Sequence, residues 1–231
     1  LIEDASHAIG GAYKNKKIGS CQFSDVTVFS FHPVKIITSA EGGMALTNDA
    51  DLAESMSSLR SHGITRDPKR MLHEKEGDWY YQQLSLGFNY RLNDIQAALG
   101  LSQLKRIDDF VSTRNSIAER YNEKFSRMGL QFQKLTKGGY SAYHLYTIQF
   151  ENAEQRSTVF EFLRAKNIGV NVHYIPIHLQ PYYKNTGLYC SEDLTNAEDY
   201  YQRAISIPIF PALTTSQQMR VINEISNALK L

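Results

Sequence analysis

An α/β fold class is expected for the first part of this 231-residue chain, followed by a smaller C-terminal α+β domain. Three observations predict it. The run Val26-Thr27-Val28-Phe29-Ser30-Phe31 is mostly β-branched and aromatic, which suits a strand covered on both faces. Leu52, Met56 and Leu59, and then Ile95, Ala98, Leu99, Leu101 and Leu104, recur at helical spacing. Beyond Gly129 and Gly138-Gly139 the long helical patterns give way to shorter alternating units, so a boundary is placed between residues 1–128 and residues 129–231.

The elements follow in order. Leu1-Ile2-Glu3-Asp4-Ala5 reads as a strand, and a chain that opens this way without Met is expected to be an internal piece of a longer protein. Up to Thr47, short strands are broken by Gly10-Gly11, Gly19, Pro33 and Gly42-Gly43, a loop-rich pattern suited to building a site. Asn48-Asp49 opens a helix that Gly63 stops, and Thr65 to Gln83 reads as a charged surface excursion. Asn93-Asp94 caps the next helix, and another runs from about Asp108 to Arg127. In the second domain, Tyr143 to Phe150 and Gly169 to Tyr174 are expected as strands, and Ile205 to Ile209 as a short extended segment. Helices are expected over Ala153 to Lys166, Asp193 to Ala204 and Thr215 to Leu229, the last capped by Thr214 or Thr215.

Charge and composition narrow the function classes. With 25 Lys+Arg against 24 Asp+Glu, net +1, and no dense basic block, nothing favours nucleic acid or anionic lipid as a partner. No apolar run approaches the roughly 20 residues of a membrane span, and no basic leader is visible, so a cytoplasmic protein is expected. Cys21 and Cys190 are too few for a disulfide framework and are read as plain thiols; no metal site is expected.

Two residues stand out for chemistry. Lys35 follows the buried strand through the Pro33 turn, a place where partial desolvation would free a neutral amine to attack a carbonyl, as a Schiff-base lysine must. Asp4 closes the first strand, at the edge where α/β sites assemble, and could pair with the protonated ring nitrogen of pyridoxal phosphate (PLP). Each has a plainer reading, a solvated lysine and a turn aspartate. His173 and His178 have no third ligand at a supporting spacing, which argues against a metal.

Three ordered strings carry a resemblance. They are Glu3-Asp4-Ala5-Ser6-His7-Ala8, then Phe29-Ser30-Phe31-His32-Pro33-Val34-Lys35 with Glu41-Gly42-Gly43, and Gly87-Phe88-Asn89-Tyr90-Arg91-Leu92-Asn93-Asp94 running on to Gly100. The chain resembles the DegT/DnrJ/EryC1/StrS aminotransferases, PLP-dependent nucleotide-sugar enzymes of aspartate-aminotransferase-like fold (fold type I). The His-Pro-Val-Lys string, Ser61-His62-Gly63-Ile64 and Val172-His173-Tyr174-Ile175-Pro176-Ile177 are most similar to the pseudaminic-acid branch, which acts on a UDP-linked 4-keto-6-deoxy-N-acetylhexosamine.

The resemblance implies that residues 1–128 are the C-terminal part of the PLP-binding large domain, and that a sizeable N-terminal portion of the family's fold is missing. It implies that Lys35 bonds to the cofactor and moves protons, and that Asp4 binds the pyridine nitrogen. It places His7 beside the ring's phenolic oxygen and Ser30 on the phosphate. Asn89 would reach the phosphate of a neighbouring subunit's cofactor, which implies a homodimer. His173, Tyr174 and His178 would face the UDP-sugar, and L-glutamate would be the amino donor. Two alternatives are carried: an inactive regulatory or assembly module of the same fold, and a PLP-dependent sugar dehydratase. The second is disfavoured because such relatives replace the lysine with His.

Overall fold

The computed structural model describes residues 1–187 and 194–230; Cys190 and Asp193, the expected start of a helix, lie outside them. The chain divides into two compact units, Leu1–Ile107 and Asp108–Leu231.

In the first unit, β1 (Ile2–Asp4) is followed by a hairpin of β2 (Ala12–Tyr13) and β3 (Lys16–Lys17), then β4 (Val26–Ser30) and β5 (Gly43–Leu46). The main sheet has the order β1-β4-β5, with β1 parallel to β4 and β5 antiparallel to it. Along β4, Thr27 and Phe29 are buried while Val26, Val28 and Ser30 are half-buried, so one face is sealed and the other only partly covered.

Helix α1 (Ala50–Arg60) starts where the Asp49 carboxylate accepts the amides of Asp51 and Leu52. Short strands β6 (Ile64–Thr65) and β7 (Gln82–Gln83) pair across the expected surface excursion. Helix α2 (Asp94–Leu104) is capped by Asn93, which takes the Gln96 amide at 2.9 Å. A cap of this kind is worth about 1 kcal/mol. The apolar stripe expected on α2 is present but uncovered: Ile95 is 86% and Leu101 61% exposed. The buried apolar residues of this unit are few, namely Ala5, Phe29, Phe31, Ile36 and Ile37.

The second unit opens with α3 (Ile107–Arg127), whose buried residues Val111, Arg114, Ile117, Ala118, Tyr121 and Phe125 fall on one helical face. Strands β8 (Gln131–Phe132), β9 (Gly139–Tyr140) and β10 (Tyr146–Gln149), helix α4 (Ala153–Ala165), a 3-10 turn (Ile177–Leu179), α5 (Pro181–Asn185), α6 (Thr195–Arg203), β11 (Ala204–Ile207) and α7 (Thr215–Ala228) complete it. The antiparallel order β11-β10-β8 lies under α3, α4 and α7, which supply Tyr121, Phe125, Leu163 and Ile225 to one core with Ile148 and Ile205. The unit division thus falls ahead of α3, not at Gly129, because the face of α3 belongs to this core.

Thr214 and Gln217 form a reciprocal capping box at α7, which decides between the two expected caps. The strand expected over Gly169 to Tyr174 is instead an extended segment with one bridge, Asn171 to Ser206. After that bridge, side chains replace the ladder: Asn171 Oδ1 accepts the Val172 amide at 2.8 Å, and His173 Nδ1 lies 2.8 Å from the Ser206 hydroxyl. No helix among the described residues is long and apolar enough to cross a membrane.

Candidate functional site

Parallel pairing of β1 with β4 brings their C-terminal ends to one edge of the sheet, as the register Asp4 to Val28 requires. Asp4 closes β1 there, exposed, and its carboxylate accepts the Ser6 hydroxyl at 2.6 Å and the Ser6 amide at 3.1 Å. These two bonds, the hydroxyl first, hold the Asp4 carboxyl below its ordinary range; slight burial opposes them, and the positive charges of His7 and Lys35 reinforce them. Asp4, His7 and Lys35 therefore share one electrostatic neighbourhood.

Ser30 closes β4 and is half-buried, its Oγ accepting the His32 amide at 3.4 Å. The chain then turns, with the Lys35 amide donating to His32 O at 3.0 Å. Lys35 is half-buried, and the next residues, Ile36 and Ile37, are buried and anchor the loop. The loop returns through Phe31, whose carbonyl takes the Ser39 amide at 3.0 Å and the Thr38 hydroxyl at 2.9 Å, and whose amide donates to Gly42 O at 2.8 Å. Gly42 has a φ of 153°, and a Cβ there would sit 2.5 Å from Ser39 Oγ and 2.9 Å from Leu92 Cδ1. The lysine loop is thus tied at both ends.

An ionised carboxylate, an amine and a hydroxyl at one sheet edge match the three parts of PLP that need partners: a protonated ring nitrogen, a carbonyl carbon and a phosphate. The donor set present fits that cofactor.

Asn89 belongs to the same unit; it is exposed and forms a bridge to Ser61. In the second unit, His173 is half-buried, with its ring against Tyr174 at a centroid distance of 4.6 Å, and burial lowers its pKa. Tyr174 is exposed, whereas the His178 side chain is 6% exposed and its Nε2 lies 2.8 Å from Glu198 Oε1. Sequence reasoning missed Ser6, although an Asp two residues before a Ser is a local turn signal. It also missed Glu198, which lies 20 residues from His178 with no local cue.

Fold and donor set together define a class, that of the PLP-dependent α/β aminotransferases of fold type I. Solved sugar aminotransferases share the architecture. The putative sugar aminotransferase Spr1654 of Streptococcus pneumoniae, in its PMP form, superposes with a TM-score of 0.89 at 30% identity over 99% of this chain and 58% of that one. Helicobacter pylori PseC, an aminotransferase of pseudoaminic acid biosynthesis, gives 0.87 at 34% identity over 99% of this chain and 59% of its own.

The chain belongs to the DegT/DnrJ/EryC1/StrS aminotransferase family, which it matches over residues 1–226. Among curated relatives, the UDP-4-amino-4,6-dideoxy-N-acetyl-beta-L-altrosamine transaminase of Campylobacter jejuni is 40% identical over 212 residues, 90% of this chain and 53% of that protein. The spore coat polysaccharide biosynthesis protein SpsC of Bacillus subtilis is 37% identical over 235 residues, 100% of this chain and 60% of that protein. The chain therefore spans less than two thirds of the length of these relatives.

Proposed function

We propose that this chain forms the lysine-bearing part of a PLP-dependent nucleotide-sugar aminotransferase acting in surface-polysaccharide or glycan synthesis. The reaction moves an amino group from an amino-acid donor, L-glutamate, to the C4 ketone of a UDP-linked 4-keto-6-deoxy sugar. The reading is supported by the parallel β1/β4 register, which brings the strand end bearing Asp4 beside the one that runs on through the turn to Lys35. The transaminase and polysaccharide names of its relatives support the substrate class.

Bound PLP supplies the electron sink that lets nitrogen change carriers. Asp4, kept ionised by Ser6, accepts the ring N–H and holds that proton in place. Lys35 Nζ would hold the cofactor at its carbonyl carbon, and its amine would move the proton at the substrate carbon that loses or gains nitrogen. The Ser30 hydroxyl donates to the phosphate, His7 lies beside the ring oxygen, and Asn89 serves the phosphate held by a second copy in a homodimer. His173 and Tyr174 meet the sugar nucleotide. His178, buried on Glu198, positions the turn that follows them.

The test is to incubate the complete protein with PLP, L-glutamate and the UDP-linked 4-keto-6-deoxy-N-acetylhexosamine. The expected outcome is an amino sugar and 2-oxoglutarate in equal amounts, both abolished by Lys35→Ala. Failure to form 2-oxoglutarate with any keto sugar tried refutes the activity, and turnover by Lys35→Ala refutes the role of the lysine.

A further inference from the structure

We propose that Asn171 and Ser206 are positioning residues that set His173 as a neutral ring with its proton on Nδ1, so that Nε2 offers a lone pair to a hydroxyl or N–H donor of the sugar. This rests on the reading of His173 as a residue that meets the sugar nucleotide.

Three side chains in direct contact decide where the proton sits. Asn171 and Ser206 are first joined by two backbone bonds, the Ser206 amide donating to Asn171 O at 2.8 Å and the Asn171 amide to Ser206 O at 3.2 Å. Their side chains then meet opposite nitrogens of one ring: Ser206 Oγ lies 2.8 Å from His173 Nδ1, and Asn171 Nδ2 lies 3.4 Å from Nε2.

The Asn171 carboxamide has one good orientation. Its Oδ1 accepts the Val172 amide at 2.8 Å, and the flipped group would set an NH2 against that N–H. The NH2 end therefore faces His173, and an NH2 only donates. A proton on Nε2 would oppose two donors, whereas a bare Nε2 accepts. In a neutral ring the proton then belongs to Nδ1, which donates to the Ser206 hydroxyl. A hydroxyl can donate or accept and tolerates either ring nitrogen, so the carboxamide decides.

Burial lowers the pKa of His173, which favours the neutral ring. Ser206 is itself buried on β11, and Tyr174 packs edge-on with the ring centroids 4.6 Å apart, so the imidazole is held on two sides. The 3.4 Å contact is long for a hydrogen bond; Asn171 selects the bare nitrogen without saturating it. A lone pair there takes a neutral donor and repels the acceptor oxygens of a diphosphate. Of the two ends of a UDP-sugar, it suits the sugar.

The experiment uses the complete protein with isotope-labelled histidine rings, reads the two His173 nitrogens by NMR at neutral pH, and titrates UDP-N-acetylglucosamine and UDP as probes. Nδ1 is expected to give the shift of a protonated nitrogen and Nε2 that of a bare one, with the Nε2 signal moved by the sugar nucleotide and not by UDP. Asn171→Asp keeps an oxygen for the Val172 amide and turns the donor beside Nε2 into an acceptor, which should put a proton on Nε2. Ser206→Ala removes the partner of Nδ1 and should raise the Kd for UDP-N-acetylglucosamine about fivefold, the scale of one neutral hydrogen bond, with the Kd for UDP unchanged. A wild-type proton on Nε2, or an Asn171→Asp ring that leaves Nε2 bare, overturns the proposal, and so does any Ser206→Ala result other than a selective loss. If His173→Ala binds UDP-N-acetylglucosamine as the wild type does, the reading of His173 at the sugar nucleotide falls and takes the proposal with it. If His173→Ala weakens that ligand while the wild-type proton lies on Nε2, the proposal alone falls.

Discussion

Replacing Arg114 with Met tests how the second unit holds the ends of its central strand pair, β10 and β11. Arg114 is buried on α3, and its NH1 donates to Tyr143 O and Ile209 O, each at 2.9 Å, with a longer contact to His144 O at 3.4 Å. Those carbonyls lie just before β10 and just after β11. Burial lowers the pKa of the guanidinium from its ordinary value to about 10. That depression corresponds to about 3 kcal/mol set against the buried charge. The two short bonds, at about 1.5 to 3 kcal/mol each for a charged donor, contribute about 3 to 6 kcal/mol. Arginine therefore wins by about 0 to 3 kcal/mol over an apolar side chain of similar length.

Arg114→Met, which keeps the packing and removes both terms, is expected to lose about 1 to 2 kcal/mol. Arg114→Ala adds a cavity and should lose about 2 kcal/mol more. Hydrogen exchange of the β10 and β11 amides in the complete protein reads the second unit directly. A gain in protection for Arg114→Met, or a loss above about 4 kcal/mol, would refute the balance drawn here.

Further outcomes follow from groups with displaced pKa values or buried partners. Burial raises the phenols of Tyr121, Tyr143 and Tyr146 above their ordinary value of 10.0. The native unit keeps protons that the unfolded chain gives up, so stability is full below pH 10 and falls as pH rises beyond it. Tyr121→Phe, which gives up only the bond to Pro208 O, should flatten that fall when unfolding is followed by tyrosinate absorbance. Asp4 is displaced the other way. Its contribution is present above its ordinary 3.8 and is lost as pH falls through the lower folded value, and Ser6→Ala should move that loss to higher pH in a carboxyl NMR titration. Glu198→Ala strips the partner from a buried ring nitrogen and should cost about 1 to 3 kcal/mol; a double-mutant cycle with His178→Ala should return a coupling above about 0.5 kcal/mol. Additive losses would show that the pair does not interact.

What could be read from sequence was what local chemistry decides. Asp49, Asn93 and Thr214 announce their helices because a cap is satisfied within three residues. The nearness of Asp4 to the Lys35 turn was legible for a related reason: Asp4 ends β1, Lys35 lies in the turn after β4, and a parallel pair delivers both strand ends to the same edge. Where side chains compete with the backbone, the reading failed: Asn171 and His173 take up groups that a ladder would have used, so the expected strand stops after one bridge.

Distance in sequence hid the rest. Glu198 meets His178 across 20 residues, and Arg114 reaches Ile209 across 95, contacts that follow from topology and carry no local pattern. The same division separates the boundary expected at the glycines after α3 from the compact units, which divide before it. A glycine pair marks where a helix can end, but which core a helix face joins is decided by strands that arrive later in the chain. Candidate site residues can thus be sought near strand ends by inspection, whereas the residues that hold them, such as Ser6 for Asp4 and Glu198 for His178, have to be found by asking what each side chain leans on.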